Sequence, residues 1–213
     1  RPPTTPTPVC SPARATFWTG LYPSQHGIHD YIGGGAYREG PWIESEAHLG
    51  EILAGVGYRC GFFGKWHCGT PEKSRAGFDE WFCIGRRTGP HCGQQRYVRN
   101  GEEYTEIGYQ SRITTDAALR FIDGAQGSRP FFAFIGMVAT HSPYADHPPR
   151  LVESYRYAEL ADIPREPVHP FGRLAGEGRN ASAANRRERQ IEYYAAVSEI
   201  DEQVGRVVDL LEQ

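Results

Sequence analysis

Residues 57–69 read GYRCGFFGKWHCG: a short apolar run between glycines, left by the chain through a lysine and a histidine. The length and unbroken apolar character of 58–63 predict a short buried strand ending at Gly64. Upstream, Leu49, Ile52, Leu53 and Val56 recur at helical spacing within 46–56, and Gly57 follows as a C-cap. A helix feeding a buried strand is half of an α/β unit.

The same order recurs downstream. Residues 115–123 read as a helix closed by Gly124, and FFAFIGMV, 131–138, as a fully covered parallel strand that leaves into a loop over 140–149. In the last segment Asn185 and Glu188 have capping-box spacing. There Tyr193, Val197, Ile200, Val204, Val208 and Leu211 make one apolar helical stripe, expected to pack on a sheet. Before the first strand, 1–9 is too rich in Pro and Thr for a helix. Ser11 as N-cap and Pro12 at the first helical position then start a helix that Gly20 stops. Between 70 and 112 only a hairpin at Asn100-Gly101 is legible, and 150–184, full of Pro, Gly and Arg, reads as a surface excursion. The succession predicts an α/β sandwich with a mainly parallel central sheet flanked by helices, its functional residues at the carboxyl ends of strands.

Composition narrows the function. The chain has 213 residues, enough for one domain with a real core, and a formal charge of −3 without any dense Lys/Arg stretch, which excludes a nucleic-acid surface. No apolar run approaches the roughly 20 residues of a membrane span. Lys65 and Lys73 are the only lysines among 23 basic residues, so a lysine inside a motif stands out. Five cysteines, Cys10, Cys60, Cys68, Cys83 and Cys92, form no CxxC pair, and their odd number leaves at least one thiol unpaired, for which Cys10 is the candidate. Neither a signal nor a transit peptide is visible, and Arg1 in place of an initiator Met predicts a portion of a longer protein.

Three segments carry chemistry. Cys10 stands at the start of a predicted helix, beside free N–H groups and the positive end of the dipole, with Arg14 one turn in. A phosphatase loop would need its arginine six positions after the cysteine, where Thr16 stands instead. Lys65 and His67, two apart in an extended exit from a strand, would face one side. His141 follows the apolar strand directly in ATHSPY, 139–144, while the Pro-Pro after His147 turns the chain away.

CSPAR (10–14) with the trailing Thr19-Gly20 and YPSQHGI (22–28) closely resembles the CxPxR segment of the type I, formylglycine-dependent sulfatases of the alkaline phosphatase superfamily. GYRCGFFGKWHCG is similar to that family's GYxTxxxGKWHxG, with Cys60 for Thr and Cys68 for Leu at packing positions. HSPY fits its HxPF or HxPY, and EIDEQVGRVVDLLE (199–212) resembles its closing helix.

The resemblance implies that a formylglycine-generating enzyme converts Cys10 to formylglycine, whose hydrate attacks a sulfate ester. It implies that Arg14 holds the hydrated aldehyde, Lys65 pairs with a sulfate oxygen, His67 assists release, and His141 binds sulfate and protonates the leaving alcohol. It further implies calcium, with magnesium as an alternative, residue 10 being one ligand; an aryl or carbohydrate sulfate as substrate; and a periplasmic, secreted or lysosomal location. The family's paired aspartates, Asp-Asn pair and further lysine have no counterparts here. The resemblance thus predicts that 1–213 is an interior part of the N-terminal catalytic domain, inactive by itself. A phosphonate monoester or phosphodiester hydrolase of the same superfamily, and a non-catalytic sulfatase-fold protein, are the alternatives. Trp18, Trp42 and Trp81 are assigned to packing and Arg86-Arg87 to solvated surface, and the sequon Asn180-Ala181-Ser182 is taken as chance.

Overall fold

The computed structural model describes residues 5–33, 40, 42–85, 90–125, 127, 129–160 and 183–213, the side chains of 183–185 excepted. Arg86-Arg87, the 180–182 sequon and most of the expected surface excursion lie outside the described residues. The chain divides into two compact units, Arg1–Gly89 with Gln94–Val138, and Pro90–Gly93 with Ala139–Gln213.

In the first unit the elements run α1 (Cys10–Thr19), α2 (Pro23–His26), α3 (Leu49–Gly55), β1 (Arg59–Gly64), β2 (Glu80–Ile84), β3 (Cys92–Arg99), β4 (Glu102–Tyr109), α4 (Gln110–Asp123) and β5 (Phe131–Gly136). The sheet has the order β4-β3-β2-β1-β5, with β1 parallel to both β2 and β5 and β3 antiparallel to β2. It is therefore mixed, a parallel core extended by a hairpin. β1 is central because its side chains are covered on both faces. On one face Phe62 lies in register with Trp81 and Phe134, and its ring stacks on theirs at 4.4 and 5.5 Å. Trp18 of α1 closes over Phe62 and Phe134 at 5.8 and 4.6 Å, so this aromatic layer sets where α1 sits. On the other face Phe63 meets Phe121 of α4 at 5.5 Å. Pairs of this kind add to the burial of large apolar area. Trp18 and Trp81 are buried and Trp42 packs half-buried on the same cluster, as expected of packing residues.

Several sequence-based boundaries move. The 70–112 region contains three strands. Its turn is the expected one, Asn100 (φ 51°) and Gly101 (φ 94°) both taking the left-handed conformation a two-residue hairpin needs. Asn100 also accepts the Trp81 N–H through Oδ1 at 2.8 Å. α4 starts five residues before the expected Thr115. Its polar first turn is buried against the hairpin, where Gln110 Nε2 donates to Gln95 Oε1 at 3.0 Å and Tyr97 O–H to the Gln110 carbonyl at 3.0 Å. α3 begins at Leu49 with His48 as N-cap and turns Gly50 inward, leaving Ile52 and Val56 exposed. β5 is half-buried along most of its length and not fully covered, because it lies at the end of the strand order.

The second unit contains α5 (Pro149–Tyr155), inside the expected excursion, and α6 (Ala183–Leu211). α6 begins two residues ahead of the Asn185 cap inferred from sequence. It buries Ile191 and Ala195 against Leu151 and Val152, and Tyr155 O–H bonds Ser198 Oγ at 2.6 Å. Of the expected stripe, Tyr193, Val197, Val204, Val208 and Leu211 are exposed and Ile200 is half-buried. No helix among the described residues is long and apolar enough to cross a membrane.

Candidate active site

Cys10 is the first residue of α1, half-buried, with extended Val9 as N-cap. The helix thus starts two residues earlier than the Ser11 and Pro12 signals suggested. Pro12 falls at the third helical position, where its missing N–H costs nothing because the first four have no intrahelical acceptor. The Ala13 N–H closes the first turn on the Val9 carbonyl at 3.0 Å. Fully buried Ser11 pins this turn: its Oγ accepts the Ile32 N–H at 3.2 Å, and Cys68 Sγ lies 3.6 Å from its carbonyl oxygen.

Arg14, one turn into the helix, donates from Nη1 to the Lys65 carbonyl at 2.6 Å. That carbonyl is available because the Lys65 N–H continues the β1–β5 ladder to the Gly136 carbonyl at 2.8 Å. Room for the guanidinium comes from Gly136, where an added Cβ would lie 3.3 Å from Arg14 Nη1 and 3.4 Å from the Lys65 oxygen. Lys65 itself is only 9% exposed. Burial lowers the affinity of both Arg14 and Lys65 for their protons. The ionised Cys10 thiol would oppose this at both, and Arg14 adds to the lowering at Lys65. Among the groups acting on Arg14 are Cys68, Cys10 and Cys83, with no carboxylate. Burial pushes Cys68 up to about 12 and Cys83 up as well, so both stay neutral, and two desolvated cations near a helix N-terminus favour an incoming anion.

His67 reaches its place differently from the expected strand alternation. Its φ of 56° is left-handed, so the extended exit ends before it. Between Lys65 and His67, Trp66 turns into the core and donates from Nε1 to the Cys68 carbonyl at 3.1 Å. The His67 ring meets Tyr31 edge-on, with centroids 5.1 Å apart. Tyr31 in turn lies across Gly33, where a Cβ would come within 2.4 Å of its ring, and is 54% exposed. Gly136 and Tyr31 had no signal of their own in the sequence and Ser11 was read only as a helix cap, because their roles depend on contacts across the fold.

His141 belongs to the second unit, five residues beyond the end of β5. Its side chain is exposed, and its Nδ1–H donates to the Ser142 carbonyl at 2.6 Å, which leaves Nε2 as the ring nitrogen available to a ligand. His147 is buried and unsuited to that task. The structure therefore brings together Cys10, Arg14 and Lys65, places His67 two residues on in the same unit beside Tyr31, and describes His141 in the other unit.

All five cysteines are free thiols, with Cys60 and Cys68 buried in packing positions. Among the described residues no group of three or more His, Cys, Asp or Glu side chains could hold a metal ion. The described residues by themselves do not make a calcium or magnesium site.

Three buried histidines predict an acid limit to stability. His26 accepts the Ile28 N–H at Nδ1 (3.1 Å), so its Nε2–H faces Thr16 Oγ1 at 3.1 Å, the arrangement of a neutral ring. Burial lowers His26 and His48, and lowers His147 from 6.5 to about 4, beside the His91 ring. Above pH 6.5 the folded and unfolded rings are both neutral and the full stability is present. As pH falls below 6.5 the unfolded chain takes up protons that the folded chain refuses, and stability falls, for His147 until about pH 4. Melting temperatures measured from pH 7.5 to 4.5 should be level at the top and decline below 6.5. A curve level throughout would refute this.

The sequence model of the sulfatase family matches residues 3–213. The chain is 28% identical over 212 residues to an ulvan-active sulfatase of Formosa agariphila, covering 93% of this chain and 37% of that protein. It is 30% identical over 231 residues to the N-acetylgalactosamine-6-sulfatase of Sus scrofa, covering 96% of this chain and 38% of that protein. It thus spans less than half the length of these curated relatives. Among solved structures, a 4S-sulfatase from glycosaminoglycan metabolism in Bacteroides thetaiotaomicron superposes with a TM-score of 0.74 at 19% identity, covering 98% of this chain and 47% of that one. A protein solved with its substrate D-glucosamine-2-N,6-O-disulfate superposes with a TM-score of 0.72 at 18% identity, covering 98% and 53%. These likenesses agree with the α/β fold, and with the family match they lead to one conclusion: the chain belongs to the sulfatase family.

Proposed function

We propose that the protein containing this chain is a sulfuric ester hydrolase acting on a carbohydrate or aryl sulfate, and that residues 1–213 are part of its catalytic domain. The observation that carries this reading is the junction of α1 with the end of β1, where Arg14 bonds the Lys65 carbonyl beside Cys10 at a helix N-terminus. Relatives named for galactosamine and ulvan sulfates favour a sugar sulfate over a simple aryl ester.

The half-buried position of residue 10 suits a small modified side chain. Converted to formylglycine by its generating enzyme, residue 10 supplies a hydrated aldehyde, one hydroxyl to attack sulfur and a second through which the product is released. Arg14 orients the group at position 10 and neutralises nearby oxygens. Lys65 pairs with a sulfate oxygen in a desolvated setting, where a charge contributes more to transition-state stabilisation than it would in water. His67 accepts a proton at position 10, and His141 donates one from Nε2 to the leaving alcohol. Apart from residue 10, the ligands of the metal expected from the resemblance are not found among the described residues, so no step here runs through it.

Parallel assays of the complete gene product on an aryl sulfate, a sulfated amino sugar and a phosphodiester test the proposal. Sulfate release should exceed phosphodiester cleavage by at least about tenfold, the effect of roughly 1.4 kcal/mol in transition-state binding. Faster phosphodiester turnover would favour the phosphonate monoester/phosphodiester hydrolase reading, and no turnover of any of them a non-catalytic protein.

A further inference from the structure

His91 is 1% exposed, and its Nε2 lies 2.9 Å from the carbonyl oxygen of His141, a residue 50 positions away. A carbonyl can only accept, so Nε2 carries the hydrogen and the tautomer is settled by the contact. The His91 ring lies against that of His147, centroids 4.7 Å apart, and His147 is itself 4% exposed. The His147 main-chain N–H points to Glu192 Oε2 of α6 at 3.4 Å. A chain of contacts therefore runs from α6 through two packed imidazoles to the backbone of His141. Residues 139–147 form no helix or strand, so His141 gains no position from a regular element. Its imidazole instead has Nδ1 tied back to Ser142. What remains to fix the ring is the main chain carrying it, and that main chain is held at its carbonyl by a buried donor.

We propose that His91 is a positioning residue for His141: its Nε2–H anchors the His141 carbonyl and so fixes the point from which the exposed imidazole projects. The catalytic consequence rests on the function proposed above, whereas the anchoring itself does not. The bond is part-buried with its donor on the buried side, so removing the donor frees a carbonyl in a segment that has no helix or strand to hold it. Displacement of a reacting group by about 1 Å is enough to cost about 100-fold in rate.

The decisive comparison is His91→Gln against His91→Phe in the complete protein. Glutamine keeps an N–H donor at similar reach, and phenylalanine keeps the ring volume without it. Two readouts are taken: amide hydrogen exchange across 139–146, and kcat with KM for a sugar sulfate. Expected is faster exchange in His91→Phe but not in His91→Gln, with kcat lowered about 10- to 100-fold in the former and within threefold of wild type in the latter. In a His141→Ala background His91→Phe should lower kcat no further. Equal behaviour of the two variants, or better retention by Phe, would overturn the proposal and assign His91 to packing. If the wild-type protein hydrolyses no sulfate ester, the functional reading fails separately, and the exchange data still decide the anchoring.

Discussion

Replacing Cys10 by alanine in the complete protein should reduce sulfate ester hydrolysis on the order of 10⁴- to 10⁶-fold, the scale on which nucleophile removal acts. Cys10→Ser should be equally inactive. A serine hydroxyl at the start of α1 has the same dipole and the same Arg14 and Lys65 beside it, but the ester it would form lacks a second hydroxyl through which to break down. The pair separates two readings of Cys10. If it acted as an ordinary oxygen-like nucleophile, serine would keep measurable turnover; if its conversion to an aldehyde matters, it would not. Mass measurement on the peptide spanning Cys10 supplies the complementary result, with aldehyde in place of thiol in active protein. An unmodified thiol in active protein would refute conversion.

Gly64→Ala should cause the largest loss of stability. An added Cβ would lie 2.1 Å from the Gly136 carbonyl oxygen and 2.7 Å from its carbon, and the residue has φ of 111°. Both neighbouring atoms are backbone in a paired strand and cannot move aside without breaking the Lys65 N–H bond to the same oxygen. Overpacking costs about 1–3 kcal/mol and left-handed backbone a further 1–2 kcal/mol, together about 2–5 kcal/mol. At 2–4 °C per kcal/mol the melting temperature falls by roughly 10 °C. Gly57→Ala is the control, since it shares the left-handed backbone (φ 96°) but meets nothing within 4 Å. It should lose only the dihedral part. Equal losses for the two variants would show that the clash at Gly64 is relieved at no cost. Gly136→Ala differs again: its nearest neighbour is the Phe134 ring, which can rotate, while Arg14 Nη1 at 3.3 Å must shift, so activity should suffer more than stability.

These glycines show why part of the site was legible and part was not. The CSPAR and GKWH segments stand out because their residues are close in sequence, and their likeness to a family needs no geometry. Local physics also read well where a single residue decides: Gly20 stopping α1, Asn100-Gly101 turning the hairpin, and the apolar run that became β1. Misreadings arose where a distant partner decides. The apolar stripe of α6 follows helical spacing faithfully, yet Ile191, Ala195 and Ala196 are the buried residues and all of the stripe but half-buried Ile200 is exposed. His67 was placed by strand alternation, but a left-handed residue intervenes once Trp66 is drawn into the core. The polar start of α4 resembled a loop until Gln95 and Tyr97 supplied its partners.

By itself the sequence determined the buried strand of 58–63, the helix stop at Gly20 and the hairpin turn at Asn100-Gly101, and it singled out the motif residues Cys10, Arg14, Lys65, His67 and His141. Each of these depends on neighbours within a turn or a strand. Tertiary structure alone decided that the Arg14 guanidinium closes on the Lys65 carbonyl over Gly136, that Ser11 holds Ile32, and that His91 reaches the backbone of His141. The physical reason is the same in each case: a hydrogen bond or a steric gap between residues some 20 to 120 positions apart exists only after the sheet and its helices have packed.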